Sequence, residues 1–124
     1  MYQKNGANRK YIRQALSPIH HSGNTKESDI VAAILRYLRA VPRCFAWKTH
    51  GGMYGTAGIP DIIACVRGRF FAFEVKTATG KATALQKATL QKILASGGTA
   101  AVVRSVDEVR AILTPFGLAL RNDQ

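Results

Sequence analysis

The sequence predicts an α/β domain in which a mixed β-sheet is flanked by helices. Three segments show apolar residues at the three- and four-residue spacing of amphipathic helices, and four short runs are rich in β-branched and aromatic residues. Only the dipeptide Arg67-Gly68 separates the second and third runs, which predicts a hairpin, whereas a whole helix separates the third and fourth, as a parallel crossover requires. The predicted order is α-β-β-β-α-β-α.

The first helix is predicted over residues 25–40, where apolar residues recur at helical spacing until Pro42, which ends the helix. Asn24 and Glu27 have the spacing of a capping box at its start. Glu27 also lies on the apolar stripe of this helix, which is an unusual position for a carboxylate.

Three strands are predicted after this helix. Alternating residues predict the first over 43–50, with Phe45 and Trp47 expected in the core. The next two are predicted over 59–66 and 69–75.

The remaining elements are a helix, a strand and a helix, predicted over 83–96, 99–104 and 105–114. Thr83 with Gln86, and Ser105 with Glu108, have capping-box spacing at the two helix starts. Gly97 follows the first of these helices, where a C-terminal glycine is expected.

The charge of the chain indicates a polyanionic partner. With 124 residues it has the size of one domain, and 18 Lys+Arg against 7 Asp+Glu give a net charge of +11. Such an excess most often accompanies nucleic-acid binding, although solubility alone is an alternative. Residues 1–24 carry four cations and no acid, so they are predicted to be a basic N-terminal arm, which either contacts phosphates or is an uninvolved tail. The domain is then 25–124.

The sequence also indicates the cellular compartment in which the protein is expected. Two cysteines without ligand spacing argue against a disulfide scaffold and against structural zinc. No apolar run approaches the ~20 residues that span a bilayer. We therefore expect no membrane association and a cytoplasmic location.

Two carboxylates are predicted to face each other across the hairpin. If the turn is Arg67-Gly68, Asp61 lies opposite Glu74 on one face of the sheet, whereas a three-residue loop would place them on opposite faces. Lys76, two residues after Glu74, shares its face.

This combination is suited to phosphodiester hydrolysis. Carboxylate oxygens are ligands for Mg²⁺ or Mn²⁺, and a neighbouring lysine can orient water or stabilise the negative charge that develops on phosphate. The alternative is a pair of hairpin acids held by ion pairs, with Lys76 as one partner.

The phrase Gly58-Ile-Pro-Asp61, followed after twelve residues by Glu74-Val-Lys76, resembles the PD-(D/E)XK nuclease superfamily. Phe73 before Glu74, Gly80-Lys81 and then Gln86 narrow the resemblance to the virus-type replication-repair nuclease (VRR-NUC) domain, which also occurs in small stand-alone phage and bacterial proteins. The resemblance therefore implies that the cytoplasm is that of a bacterial or phage-infected cell.

The resemblance implies a restriction-endonuclease-like fold and a centre for Mg²⁺ or Mn²⁺. It makes Asp61, Glu74 and the backbone carbonyl of Val75 metal ligands. Glu27 would bind through water or complete the metal shell.

The resemblance also implies an activity. Lys76 would be the catalytic lysine, and Gln86 would steady that lysine or the DNA backbone. The implied enzyme is a metal-dependent, structure-selective DNA endonuclease acting on branched DNA such as four-way junctions. A flap-type nuclease and a non-catalytic basic nucleic-acid-binding module remain alternatives. The small size disfavours a sequence-specific restriction enzyme.

Residues bordering this site are the candidates for DNA contact. They are Lys48, His50, Tyr54, Lys81 and Lys87.

A homodimer is expected, because paired cuts in a junction need two copies of one site. The last helix and the tail offer apolar residues for its interface: Ile112, Leu113, Phe116, Leu118 and Leu120.

Overall fold

The computed structural model describes residues 25–50 and 57–120. They form three helices, four strands and a short 3₁₀ turn, in the order α1 Glu27–Ala40, β1 Cys44–Lys48, β2 Ile62–Val66, β3 Arg69–Val75, α2 Ala84–Ala95, β4 Thr99–Val103, α3 Val106–Leu113 and the 3₁₀ turn Thr114–Phe116. The predicted α/β class with a mixed sheet is confirmed. The predicted basic arm, residues 1–24, lies outside the described residues.

The sheet is held in register by the β2–β3 hairpin. The strand order is β1-β2-β3-β4, with β1, β2 and β3 antiparallel and β4 parallel to β3. Arg67 and Gly68 both have positive φ, 49° and 82°, as a two-residue type I′ turn requires. Val66 therefore lies opposite Arg69, and Ile62 opposite Phe73, as the sequence predicts.

The two faces of the sheet are covered unequally. Helices α1 and α3 pack on one face, here the α1 face, over the main core that includes Ile34 and Phe73. Helix α2 packs on the other, the α2 face, where Leu90 meets Ile63 and Ala72 in a smaller cluster. Because α2 contacts mainly β3 and β4, the α2 face of β1 has no helix over it within the described residues.

This unequal coverage overturns one expectation. Phe45 and Trp47 are not core residues, since 71% and 41% of their surfaces are exposed. They alternate with the buried Ala46, so they point to the α2 face, where the edge strand lies beyond the reach of α2.

The helix starts match the sequence in part. The Thr83–Gln86 capping box is present in both directions. At α1 the expected box is wrong: Lys26 is the N-cap without a side-chain bond, because the helix begins two residues later than the spacing from Asn24 implied. At α3, Ser105 accepts from the Glu108 amide.

The tail completes the main core of the monomer. Leu113, Leu118 and Leu120 are buried there, and the backbone amide of Leu120 donates to the Tyr37 hydroxyl, 3.2 Å away. The expectation that these leucines form a dimer surface is therefore wrong.

The outer part of the tail packs on this core. Ile112 lies against it, and Phe116 meets Phe71 edge to face. Most of the apolar surplus is thus used within one chain.

The helices are short relative to a bilayer. Over the described ranges, none is both long and apolar enough to cross a membrane.

Gly58 lies where the segment before β2 meets α2. Its φ is +80°, and an added Cβ would lie 2.8 Å from Thr89 Oγ1 and 2.9 Å from Leu85 Cγ. Gly68 has nearly the same φ, +82°, but nothing within 4 Å of such a Cβ. Substitutions at the two glycines therefore distinguish the effect of backbone strain from the effect of steric contact.

We predict that Gly58→Ala destabilises the protein more than Gly68→Ala does. A positive φ costs alanine about 1 kcal/mol at either site, and overpacking adds about 1–3 kcal/mol at residue 58 alone. Urea unfolding of the two variants checks this. Equal losses of unfolding free energy would contradict the close packing of Gly58 on α2.

Candidate active site

The hairpin register brings Asp61 and Glu74 together on the α2 face. The ladder ends at the pair Ile62 and Phe73, so the next residues outward, Asp61 and Glu74, are opposed as predicted. The Val75 amide donates to Asp61 Oδ2 at 2.8 Å, and the Thr49 amide donates to the Asp61 carbonyl at 2.8 Å. The Asp61 carboxylate is thereby fixed across the strand from Glu74.

Glu74 is the one charged residue that is fully buried among those the structure describes, with 1% of its surface exposed. Its Oε2 atom lies 3.3 Å from Lys76 Nζ and accepts from Gln86 Nε2 at 3.2 Å. Its other oxygen, Oε1, is buried and has no hydrogen-bond partner among the residues that the structure describes. Buried carboxylate oxygens are rarely left in this state, so Oε1 is available to a ligand.

Burial, and then the charge of Asp61, raise the pKa of Glu74 to about 7. Lys76 acts in the opposite direction and lowers the pKa only in part. One lysine thus leaves the pair of carboxylates short of positive charge. A bound cation would favour the ionised form of Glu74.

Gln86 connects the start of α2 to the acids. Its Oε1 atom accepts from the Thr83 amide at 2.9 Å as part of the capping box, which leaves Nε2 to donate to Glu74. Gln86 therefore both caps the helix and orients the buried carboxylate of Glu74.

Arg104 is a site residue that the sequence analysis missed. Its guanidinium donates to the carbonyls of Thr77 and Gly80, which fixes the loop that follows Lys76. The parallel pairing of β3 with β4 aligns Val75 with Val103 and so places Arg104 beside Lys76. This pairing is the feature that could have identified Arg104 as a neighbour of the site.

The oxygen atoms around Asp61 and Glu74 are compatible with a hard divalent cation. Val75 has its side chain buried in the main core and its amide engaged by Asp61, so its carbonyl is the backbone group left for a ligand. A partly hydrated Mg²⁺ needs only one or two carboxylates, and the unpartnered Glu74 Oε1 meets that need. On these observations the residues fit the ion.

Glu27 does not join this pair directly. The structure shows no group of three or more His, Cys, Asp or Glu side chains arranged as a metal site in 25–50 and 57–120. Helix α1 and strand β1 pack together and are joined by residues 41–43 only, so they run in opposite directions. Glu27, half-buried at the start of α1, therefore lies at the same end of the sheet as the acids.

The predicted DNA-contacting residues are distributed differently from the expectation. Lys48 pairs with the core residue Ile62, so it belongs to the α1 face and not to the face of the acids. His50 is exposed just beyond β1, and Lys81 and Lys87 are exposed around the start of α2. Tyr54 lies outside the described residues.

No family model, curated protein or solved structure matches this chain.

We predict that the metal-free protein loses stability between pH 5 and pH 8 because of Glu74. Since its pKa rises from 4.5 in the unfolded chain to about 7 in the fold, the unfolded state releases this proton first as the pH rises. The stabilisation is complete below pH 4.5 and is lost as the pH passes 7, by up to about 3 kcal/mol.

Urea unfolding in a chelator, at pH 5 and pH 8, measures this loss, with Glu74→Gln as the isosteric control that cannot ionise. A pH-independent difference between wild type and Glu74→Gln would contradict the assignment.

Proposed function

We propose that this protein is a metal-dependent DNA endonuclease of restriction-endonuclease-like fold that hydrolyses phosphodiester bonds, preferentially in branched DNA. The single observation that carries the proposal is the buried, unpartnered Oε1 atom of Glu74, opposite a second fixed carboxylate. An acid pair without enough positive charge, open to a cation, is the arrangement that metal-assisted hydrolysis needs.

Asp61, Glu74 and the Val75 carbonyl would hold Mg²⁺ or Mn²⁺, with Glu27 contributing through water. When bound, the ion polarises a phosphate and lowers the pKa of a water molecule. The protein fixes the two carboxylates before any ligand arrives, because Asp61 is held by the Val75 amide and Glu74 by Gln86.

Lys76 is the residue best placed to act on the reacting groups. Its ammonium group is largely buried beside Glu74, so it is held on the face of the acids and partly removed from water. There it can orient the attacking water or stabilise negative charge on the phosphate oxygens. The Arg104 contacts hold the loop behind it.

The substrate class follows from charge. The chain carries a net charge of +11, and exposed lysines flank the start of α2 near Gln86. Basic residues provide the phosphate contacts that dominate DNA affinity. A non-catalytic binding module is disfavoured, because two opposed acids would only weaken its contact with phosphate.

We predict that Asp61→Ala and Glu74→Ala reduce cleavage at least about 100-fold, while DNA binding without divalent metal is kept or tightened. Each change removes an oxygen ligand and also a negative charge near the substrate. Lys76→Ala should slow cleavage by about 10²–10³-fold without preventing Mn²⁺ from raising the unfolding temperature.

Cleavage assays and thermal unfolding with and without Mn²⁺ test these three variants. Asp107→Asn, on the exposed surface of α3, is the matched control for loss of one acidic charge. Cleavage by Glu74→Ala at the wild-type rate would refute the assignment of the metal site.

Junction resolution makes a further prediction. One chain contributes one pair of opposed acids within its described part, so paired cuts would require two copies. Light scattering should then give twice the chain mass of 13.5 kDa, and cleavage mapping on a four-way junction should give symmetry-related nicks. A monomer that makes one nick beside a flap would instead assign the protein to the flap-cutting class.

A further inference from the structure

The α2 face carries exposed aromatic side chains that the acid site does not use. Phe45 and Trp47 on β1 and Phe70 on β3 are 71%, 41% and 46% exposed, and Cys65 lies between Phe45 and Phe70 on β2. We call these four residues the aromatic strip. The Phe45 and Trp47 rings lie 5.2 Å apart between centroids, tilted by 38°.

The aromatic strip leads directly to the acids. The Thr49 amide donates a hydrogen bond to the Asp61 carbonyl at the end of the sheet, and Trp47 is the nearest residue of β1 on the same face as Thr49. Alternate residues of a strand are about 6.6 Å apart, so Trp47 lies one such step from Thr49. An apolar cavity of about 430 Å³, lined by Ile63 and Phe70, adjoins the strip.

The charges around the strip favour a polyanion. In the described ranges the acids lie on α1, on α3 and at the site, and none lies on the strip. Exposed Arg43 and Arg67 meet at the end of the strip away from the acids, where the Arg67 amide donates to the Arg43 carbonyl.

A second copy of the chain fits this surface less well. Lys48 places a charge on the edge strand, which opposes pairing of β1 with the same strand of another copy.

We propose that the aromatic strip binds single-stranded DNA by stacking unpaired bases on Phe45 and Trp47, next to the acid site. Aromatic rings with one open face bind bases in this way, largely independent of sequence. The proposal deepens the proposed function and rests on it for the identity of the substrate: the branched DNA would carry a single-stranded segment along β1. The stacking itself needs no metal and no cleavage.

Trp47 is the only tryptophan of the chain, so its fluorescence reports on the strip itself. The protein is titrated with oligothymidylate in a chelator, where no cleavage takes place. We expect quenching of Trp47, and little quenching by a blunt duplex of the same charge, whose bases are already stacked.

Substitutions of Phe45 separate stacking from general apolar contact. Phe45→Leu keeps the apolar side chain without the ring and should weaken binding about fivefold or more, whereas Phe45→Tyr should bind like wild type. The slope of log affinity against log salt should stay unchanged in both, since no phosphate contact is removed. Leu94→Ala, which shortens an exposed residue of α2, is the control and should bind like wild type.

The outcomes separate the strip from the nuclease. Quenching that is weakened by Phe45→Leu but kept in Glu74→Gln supports the strip even if no DNA is cleaved. Absence of quenching, or equal affinity of Phe45→Leu and wild type, overturns it even if cleavage proceeds. Tighter binding of oligouridylate overturns the assignment to DNA, and a dimer that Phe45→Leu dissociates would make the strip a contact between two copies.

Discussion

The two-residue turn between β2 and β3 is the constraint on which the rest of the structure depends. Because Arg67 and Gly68 both accept positive φ, the hairpin closes without an extra residue and the pairing of its strands is fixed. A slip by one residue would move Glu74 into the main core and Phe73 onto the opposite face. The packing of the α1 face and the opposition of the two acids on the α2 face therefore require the same strand register.

That requirement has an energetic consequence. Glu74 lies between Phe73 and Val75, both fully buried, so the strand that completes the core also takes a carboxylate out of water. Lys76 and Gln86 contact one of its oxygens and leave the other unpartnered. Burial of this kind lowers the stability of a protein and is typical of sites that bind a ligand.

Local sequence signals were sufficient for much of this arrangement. The turn dipeptide gave the register of Asp61 and Glu74, and the spacing of Thr83 and Gln86 gave the start of α2, because both depend on nearby residues. The exposure of Phe45 and Trp47 could not be foreseen, since alternation in a strand does not tell which strand lies at an edge.

Long-range packing explains the remaining differences. The tail beyond α3 contains more apolar residues than a short helix can bury, which the sequence alone attributes equally well to a partner or to the core. Leu118 and Leu120 are buried in the core. The backbone amide of Leu120 donates a hydrogen bond there to the hydroxyl of Tyr37, a residue more than eighty positions earlier. Such a contact is set by the fold as a whole.

The short reach of α2 links the acid pair and the aromatic strip on its face. The first turn of the helix contacts Glu74 through Gln86, and the rest of the helix covers β3 and β4. The helix therefore borders the acids on one side only. On the other side the same face continues past Ile63, which is buried beneath α2, to the edge strand, where the aromatic rings are exposed and no described helix lies over them. A longer or differently angled helix would bury Phe45 and Trp47 and would also close the approach to the acids along β1. The openness that leaves large aromatic residues in water is therefore the same feature that would give the proposed single-stranded DNA a path to Asp61 and Glu74.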